Sequence, residues 1–201
     1  MTADTINKAN STQGENRIYR SINKFADKTE MSKRFARAKK KLFDINKWSK
    51  LPGITSSFQL YDVSGEKKLA DKPEINDYIK INLPGPFPEN WVIISNIQQD
   101  EFSAEFTVHP SNKPEAKGKN DKKTEHFFVQ ESSSTFKVEC KGEILYGYEI
   151  GKNEMINNEG KEAAGRKVIN TLIAEGGWAG FQKFQWEKLT DYFVHKTEIE
   201  K

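Results

Sequence analysis

The sequence predicts an α+β fold, in which a curved antiparallel sheet of about seven strands packs on a C-terminal helical segment and an N-terminal amphipathic helix precedes the sheet. Three observations carry this prediction. The apolar period is 3.6 residues from Met31 to Ile45, becomes 2 between about residues 54 and 151, and returns to 3.6 after residue 164. No helical pattern interrupts the strand region, so turns and loops join its strands, which makes them antiparallel. The last helical stretch, "GGWAGFQKFQWEKLTDYF" (176–193), concentrates two Trp, three Phe and one Tyr. Rings of that size can cover one face of a sheet.

Taken in order, residues 1–16 are polar and aperiodic, and read as a disordered tail ahead of a single α+β domain over 17–201. "RIYRSINKFA" places Ile18, Ile22 and Phe25 at helical spacing and reads as a short helix. Capping residues in "DKTEMS" then open a second helix. Its face is the series Met31, Phe35, Ala38, Leu42 and Ile45, followed by Trp48 and stopped by "LPG" at 51–53.

Seven period-2 segments follow: "ITSSFQLYD", "DYIKINL", "WVIISNI", "FSAEFTVH", "TEHFFVQ", "STFKVEC" and "EILYGYEIG". "VSGEKK", "PGPFP", "QQDE" and Lys141-Gly142 supply turns between them, and "PSNKPEAKGKNDKK" (110–123) forms a charged, Lys-rich loop. After them, Ala164, Val168, Leu172, Ile169 and Ile173 form an apolar helical stripe. Gly176-Gly177 interrupts it at roughly 1 kcal/mol per glycine relative to Ala. A second helix from about 181 to 195 sets Phe181, Trp186, Leu189, Tyr192 and Phe193 on one side, with Phe184 off it.

This order of elements, the "WSKLPG" passage from helix to sheet and the aromatic closing helix resemble the START-like (helix-grip, SRPBCC-type) superfamily over about residues 30–196. The resemblance implies a sheet that grips the C-terminal helix and encloses an apolar cavity. It also implies a strand ahead of the first helices, where this sequence reads as tail and short helix, and an unbroken closing helix, where this one carries Gly176-Gly177. A lipocalin-like or cystatin-like sheet is the alternative arrangement.

Composition bounds the function. The 201 residues are 35% hydrophobic and 30% charged, which suits one domain with an economical core. No run approaches the ~18 apolar residues of a transmembrane segment, and the expected location is cytoplasmic. Cys140 is the only cysteine, which excludes an intrachain disulfide and a multi-cysteine zinc site. Two histidines, His109 and His126, flank the Lys-rich loop, but with only Glu125 beside them they define no metal site. No catalytic motif, phosphate-binding glycine loop or cofactor signature is present.

Two readings remain, from different classes. In the first, a small apolar or amphipathic ligand occupies a cavity of at least a few hundred Å³ between sheet and closing helix. Its lining would come from Trp48, Phe58, Trp91, Phe106, Phe128, Trp178 and Trp186, rings that equally serve as core. Gln182 and Gln185 on the aromatic face would need partners there. In the second, the chain is an interaction module. Residues 1–50 carry 13 Lys+Arg against 5 Asp+Glu, or +8, while the rest carries 19 against 24, or −5. Lys33, Arg34, Arg37, Lys40 and Lys41 lie opposite the Phe35/Leu42 face, as a ridge that would meet nucleic acid or an anionic partner. An enzyme using the same cavity ranks third.

Overall fold

The computed structural model describes residues 15–70, 72–84, 89–114, 131–154 and 177–199. The chain begins with strand β1 (Glu15–Lys24), then helix α1 (Lys28–Phe43) and the single turn α2 (Ile45–Trp48). The strands β2 (Ser57–Tyr61), β3 (Tyr78–Asn82), β4 (Asn90–Gln99), β5 (Ser103–Ser111), β6 (Ser133–Lys141) and β7 (Ile144–Glu154) follow, and helix α3 (Gly177–Phe193) closes the fold. The seven strands form one antiparallel sheet in the order β1-β7-β6-β5-β4-β3-β2. The two strands that flank α1 and α2 therefore lie at opposite edges, and these helices carry the chain across. A curved antiparallel sheet closed on a C-terminal helix is the helix-grip arrangement.

Six of the strands fall where the alternating pattern places them; the expected strand at 124–130 lies outside the described residues. The seventh strand is a correction. "RIYRSINKF" is not a helix but β1, paired with β7 from Glu15↔Glu154 to Lys24↔Ile144. The misreading has a physical cause. Ile18, 67% exposed, and Ile22 lie on the outer face, while the inner face of this strand carries Arg17, Ser21 and Asn23.

Those polar residues face the flank of α3. Arg17 Nη1 donates to Gln182 Oε1 at 3.1 Å, Ser21 Oγ donates to Asp191 Oδ1 at 2.7 Å and meets Thr190 Oγ1 at 2.9 Å, and Asn23 Nδ2 donates to the Val194 carbonyl at 2.8 Å. The strand thus clasps the helix with hydrogen bonds, and its hydrophobic pattern is inverted.

Helix α1 buries Met31, Phe35, Ala38 and Leu42, the face its spacing predicts. Asp27 caps it by accepting from Glu30 N–H at 2.8 Å, and the Glu30 side chain returns to Ala26 N–H at 3.3 Å, a reciprocal cap. Trp48 is the hub of the core. It is buried, its Nε1 donates to the Lys41 carbonyl at 2.9 Å, and its ring meets Phe58, Phe106, Phe136 and Phe193 with centroids 5.1 to 6.0 Å apart.

The C-terminal half of α3 sits hard against the sheet. A Cβ on Gly147 of β7 would lie 2.9 Å from the Thr190 carbonyl and 3.1 Å from Phe193 Cβ and Val194 Cγ1, so only glycine admits the helix this closely. The helix ends in a Schellman arrangement: Lys196 N–H bonds to the Asp191 carbonyl and His195 N–H to that of Tyr192, with His195 at φ +66°.

Candidate functional site

Helix α3 divides into two halves with different surroundings. Leu189, Tyr192 and Phe193 pack solidly against α1 and the sheet. Phe181, Gln182, Gln185 and Trp186, one to two turns earlier, face the sheet across a pocket of ≈ 90 Å³ that is partly open to solvent. At roughly 10–15 Å³ for each water-sized body, it holds about six to nine. It is smaller than the few hundred Å³ expected, because Trp48 occupies one end and Trp186 packs across it onto Phe58 and Phe136 at 6.5 and 5.6 Å.

The sheet side of the pocket comes from alternate residues of five neighbouring strands, β2 to β6, and the passages leading into β2 and β6. Phe58, Ile79, Ile81, Val92, Val108 and Phe136 supply its apolar surface, with Ser56, Ser132 and Ser134 among them. The half-buried Ile81, Leu83, Asn90, Pro110 and Ser133 mark the mouth, where β3 ends and β6 begins.

The sequence-predicted site residues divide accordingly. Trp48, Phe58, Gln182, Gln185 and Trp186 are brought together around the pocket. Trp91 borders it, but its indole packs on Tyr61 at 4.8 Å and lies 5.9 Å from Lys80 Nζ, on the opposite face of the sheet. Strand register explains this: Trp91 pairs with the outward Lys80, while Val92 pairs with the inward Ile79. Phe106 does not reach the pocket and is fully buried between Phe43, Trp48 and Phe136. Phe128 and the side chain of Trp178 lie outside the described residues, as do His126 and residues 115–123 of the Lys-rich loop.

Both glutamines are committed to protein partners. Gln185 Oε1 accepts from the N–H groups of Thr55 and Ser56 at 3.2 and 3.3 Å, and its Nε2 donates to Thr55 Oγ1 at 3.2 Å. It ties the passage into β2 to the closing helix. Gln182 holds Arg17, and Ser132 Oγ donates to the Asn153 carbonyl at 2.7 Å. The Trp186 indole N–H is buried without an acceptor among the described residues, an omission that costs roughly 1–3 kcal/mol. No titratable side chain stands among the described lining residues, which therefore offer neither a general acid nor a general base.

Sequence reasoning missed Ser56 and the serines of "SSS" at 132–134. Their signal was a run of small polar residues, "TSS" at 55–57 and "SSS" at 132–134, at the head of an alternating strand.

The basic ridge on α1 is only partly a ridge. Lys41 is 6% exposed and points inward, where its Nζ donates to the Tyr192 carbonyl at 2.7 Å and to Glu198 Oε1 at 3.0 Å. It serves as the C-terminal cap of α3, and burial lowers its pKa to about 8. Arg34 pairs with Glu30 and Arg37 with Glu198. Lys33, Arg37 and Lys40 remain exposed.

His195 is not the helix-end cation its position suggests. Its Nε2 donates to the Arg34 carbonyl at 2.9 Å, and burial lowers its pKa to about 4, which leaves the ring neutral. Cys140 is a half-buried strand residue whose thiol pKa is raised by burial, an unreactive environment. Among the described residues no group of His, Cys, Asp and Glu is disposed to hold a metal ion, and no helix is long and apolar enough to cross a membrane.

Fold and site together define a helix-grip protein with a small, mostly apolar pocket under the first half of its closing helix, whose described lining carries no charged side chain. No protein-family model matches the chain, and no curated protein is detectably similar. Among solved structures it is similar to a hypothetical protein from Helicobacter pylori, at 13% identity over 96% of both chains and a TM-score of 0.53. Weaker likenesses are to norcoclaurine synthase from Thalictrum flavum, at 11% identity over 98% of this chain and 96% of that one with a TM-score of 0.45, and to ginseng major latex-like protein 151 from Panax ginseng, at 12% identity over 83% and 97% with a TM-score of 0.41. At such identities the likeness concerns the fold.

Proposed function

We propose that this protein binds a small apolar or amphipathic molecule in the pocket between the sheet and the first half of α3. The observation that carries the reading is the contrast along one helix. Leu189, Tyr192 and Phe193 pack into the core, whereas the half bearing Phe181 and Trp186 leaves ≈ 90 Å³ lined mostly by apolar side chains. Apolar walls with a few placed polar groups are the usual character of a small-molecule site. The same reading takes the protein to be cytoplasmic, a compartment in which the lone thiol of Cys140 stays reduced.

Native mass spectrometry of the freshly purified protein tests this. A small molecule should accompany the wild type and be absent from Val108→Phe, whose added ring occupies the pocket. Far-ultraviolet circular dichroism confirms that the variant is folded. The same adduct on both proteins, or on neither when candidate apolar ligands are supplied in excess, would count against the reading. The basic face of α1 is the weaker reading: its inward Lys41 and the Arg37–Glu198 pair leave it less cationic than the sequence suggests.

A further inference from the structure

We infer that the pocket selects an uncharged ligand and that Ser134 supplies the hydrogen bond to its polar group. The inference rests on the proposed reading of the pocket as a binding site and specifies what that site accepts.

The described lining holds no Asp, Glu, Lys, Arg or His. A charge brought into it loses its hydration and gains no counter-ion in exchange. Two titratable side chains flank the described lining without forming part of it. Arg17 reaches Gln182 from β1, and Glu149, fully buried on β7, stands directly opposite Phe136 in the strand pairing.

The polar groups of the lining are mostly spoken for. Gln182, Gln185 and Ser132 bond to Arg17, to residues 55–56 and to Asn153. Asn90 also has a partner of its own. Ser133 pairs with the exposed Lys152, on the outward row of β6. Among the described residues this leaves the hydroxyls of Ser56 and Ser134. Ser134 is the better placed of the two. It is half-buried on the inner face of β6, pairs with Val108 of β5 and lies two residues before Phe136, both of them pocket walls. A hydroxyl both donates and accepts, so it serves an alcohol, a carbonyl or an ether equally well.

Three probes of one shape test the inference by isothermal titration calorimetry at pH 7.5: benzyl alcohol, benzoate and benzylammonium. Benzyl alcohol should bind, and both ions should bind at least about thirtyfold more weakly, the penalty for an unpaired charge. Ser134→Ala should weaken benzyl alcohol by about threefold to tenfold, the loss of one neutral hydrogen bond, and leave toluene unchanged. If either ion binds within threefold of the alcohol, charge selection is overturned while the pocket stands as a binding site. Equal affinity of Ser134→Ala and wild type for benzyl alcohol overturns the assignment of Ser134. If neither benzyl alcohol nor toluene binds the wild type, the pocket reading falls and this inference with it.

Discussion

Replacing Gly147 by alanine should loosen the grip of the sheet on its helix, and the structure sets the size of the effect. The new Cβ would stand 2.9 Å from the Thr190 carbonyl and 3.1 Å from two further atoms of α3 and its cap. Two of these three atoms are a carbonyl and a Cβ, which cannot turn aside, so the last turn of α3 must withdraw by several tenths of an ångström. That turn is held by short bonds: Lys41 to the Tyr192 carbonyl at 2.7 Å, Asn23 to the Val194 carbonyl at 2.8 Å, and Ser21 to Thr190 at 2.9 Å. Overpacking of this kind costs about 1–3 kcal/mol, and stretching the clasp puts the variant at the upper end. For a chain of this size that is a fall of roughly 5–10 °C in Tm.

Gly180→Ala is the internal contrast. It lies on an exposed part of the same helix with nothing within 4 Å of its would-be Cβ, and should stabilise by up to about 1 kcal/mol through helix propensity alone. Urea denaturation of both variants against wild type reads the difference. A Gly147→Ala variant within ~0.3 kcal/mol of wild type would refute the close approach of α3 to β7.

Three further outcomes follow from buried charges and the helix surface. His195, faced by the Arg34 carbonyl, Lys41, Arg37, Glu198 and the Phe25 ring, has its pKa lowered from 6.5 to about 4; the unfolded chain binds the proton first, so stability falls as pH drops from 6.5 towards 4. Chemical denaturation at pH 6.5 and 5 should show about 1.5 kcal/mol more loss in wild type than in His195→Gln, since a full pH unit is worth 1.36 kcal/mol and the unfolded imidazole is already half protonated at pH 6.5; equal losses would contradict it. Lys41, lowered from 10.5 to about 8, contributes with the same sign at alkaline pH: the unfolded chain keeps a proton that the folded one has released, so stability rises between pH 8 and 10. That rise should vanish in Lys41→Met, whose stability at pH 7 stays within about 1 kcal/mol of wild type because the buried cation is replaced by an apolar chain of similar length. Heparin chromatography of the Lys33→Glu/Arg37→Glu/Lys40→Glu protein should match wild type, and a salt-sensitive loss of retention would revive the charged face as a partner surface.

How far the sequence reached can be argued from particular residues. Met31, Phe35, Ala38 and Leu42, and likewise Leu189, Tyr192 and Phe193, were legible because one side of each helix is buried and the other wet, the situation in which period and burial coincide. Strand β1 was not legible because its inner face binds α3 through polar groups, which leaves Ile18 and Ile22 outside at a spacing that imitates a helix. The orientation of Trp91 was hidden by "WVIISNI", whose two faces are both apolar, so composition cannot decide which faces inward. The inward placement of Lys41 and His195 was hidden for a common reason. Each meets a backbone carbonyl supplied by a segment more than 150 residues away, which no local pattern records.

The candidate site was partly legible. The notable signal was Gln182 and Gln185 on an aromatic face, and the structure shows them anchoring the pocket wall rather than reaching into the pocket. What the sequence left undecided, whether the rings pack solid or leave room, depends on how the two halves of α3 meet the sheet. The answer differs between them, with Gly147 holding one half close and the serines of β6 leaving space under the other.

The central claim is that the space beside Trp186 receives a small molecule. Its most direct test is the indole region of a nitrogen–proton correlation spectrum, recorded while benzyl alcohol is titrated in. The Trp186 Nε1–H resonance, whose donor has no acceptor among the described residues, should shift saturably and with the dissociation constant found by calorimetry. The same resonance should stay still in Val108→Phe. A Trp186 resonance that does not move while the alcohol binds elsewhere, or that moves equally in the filled variant, would contradict the account.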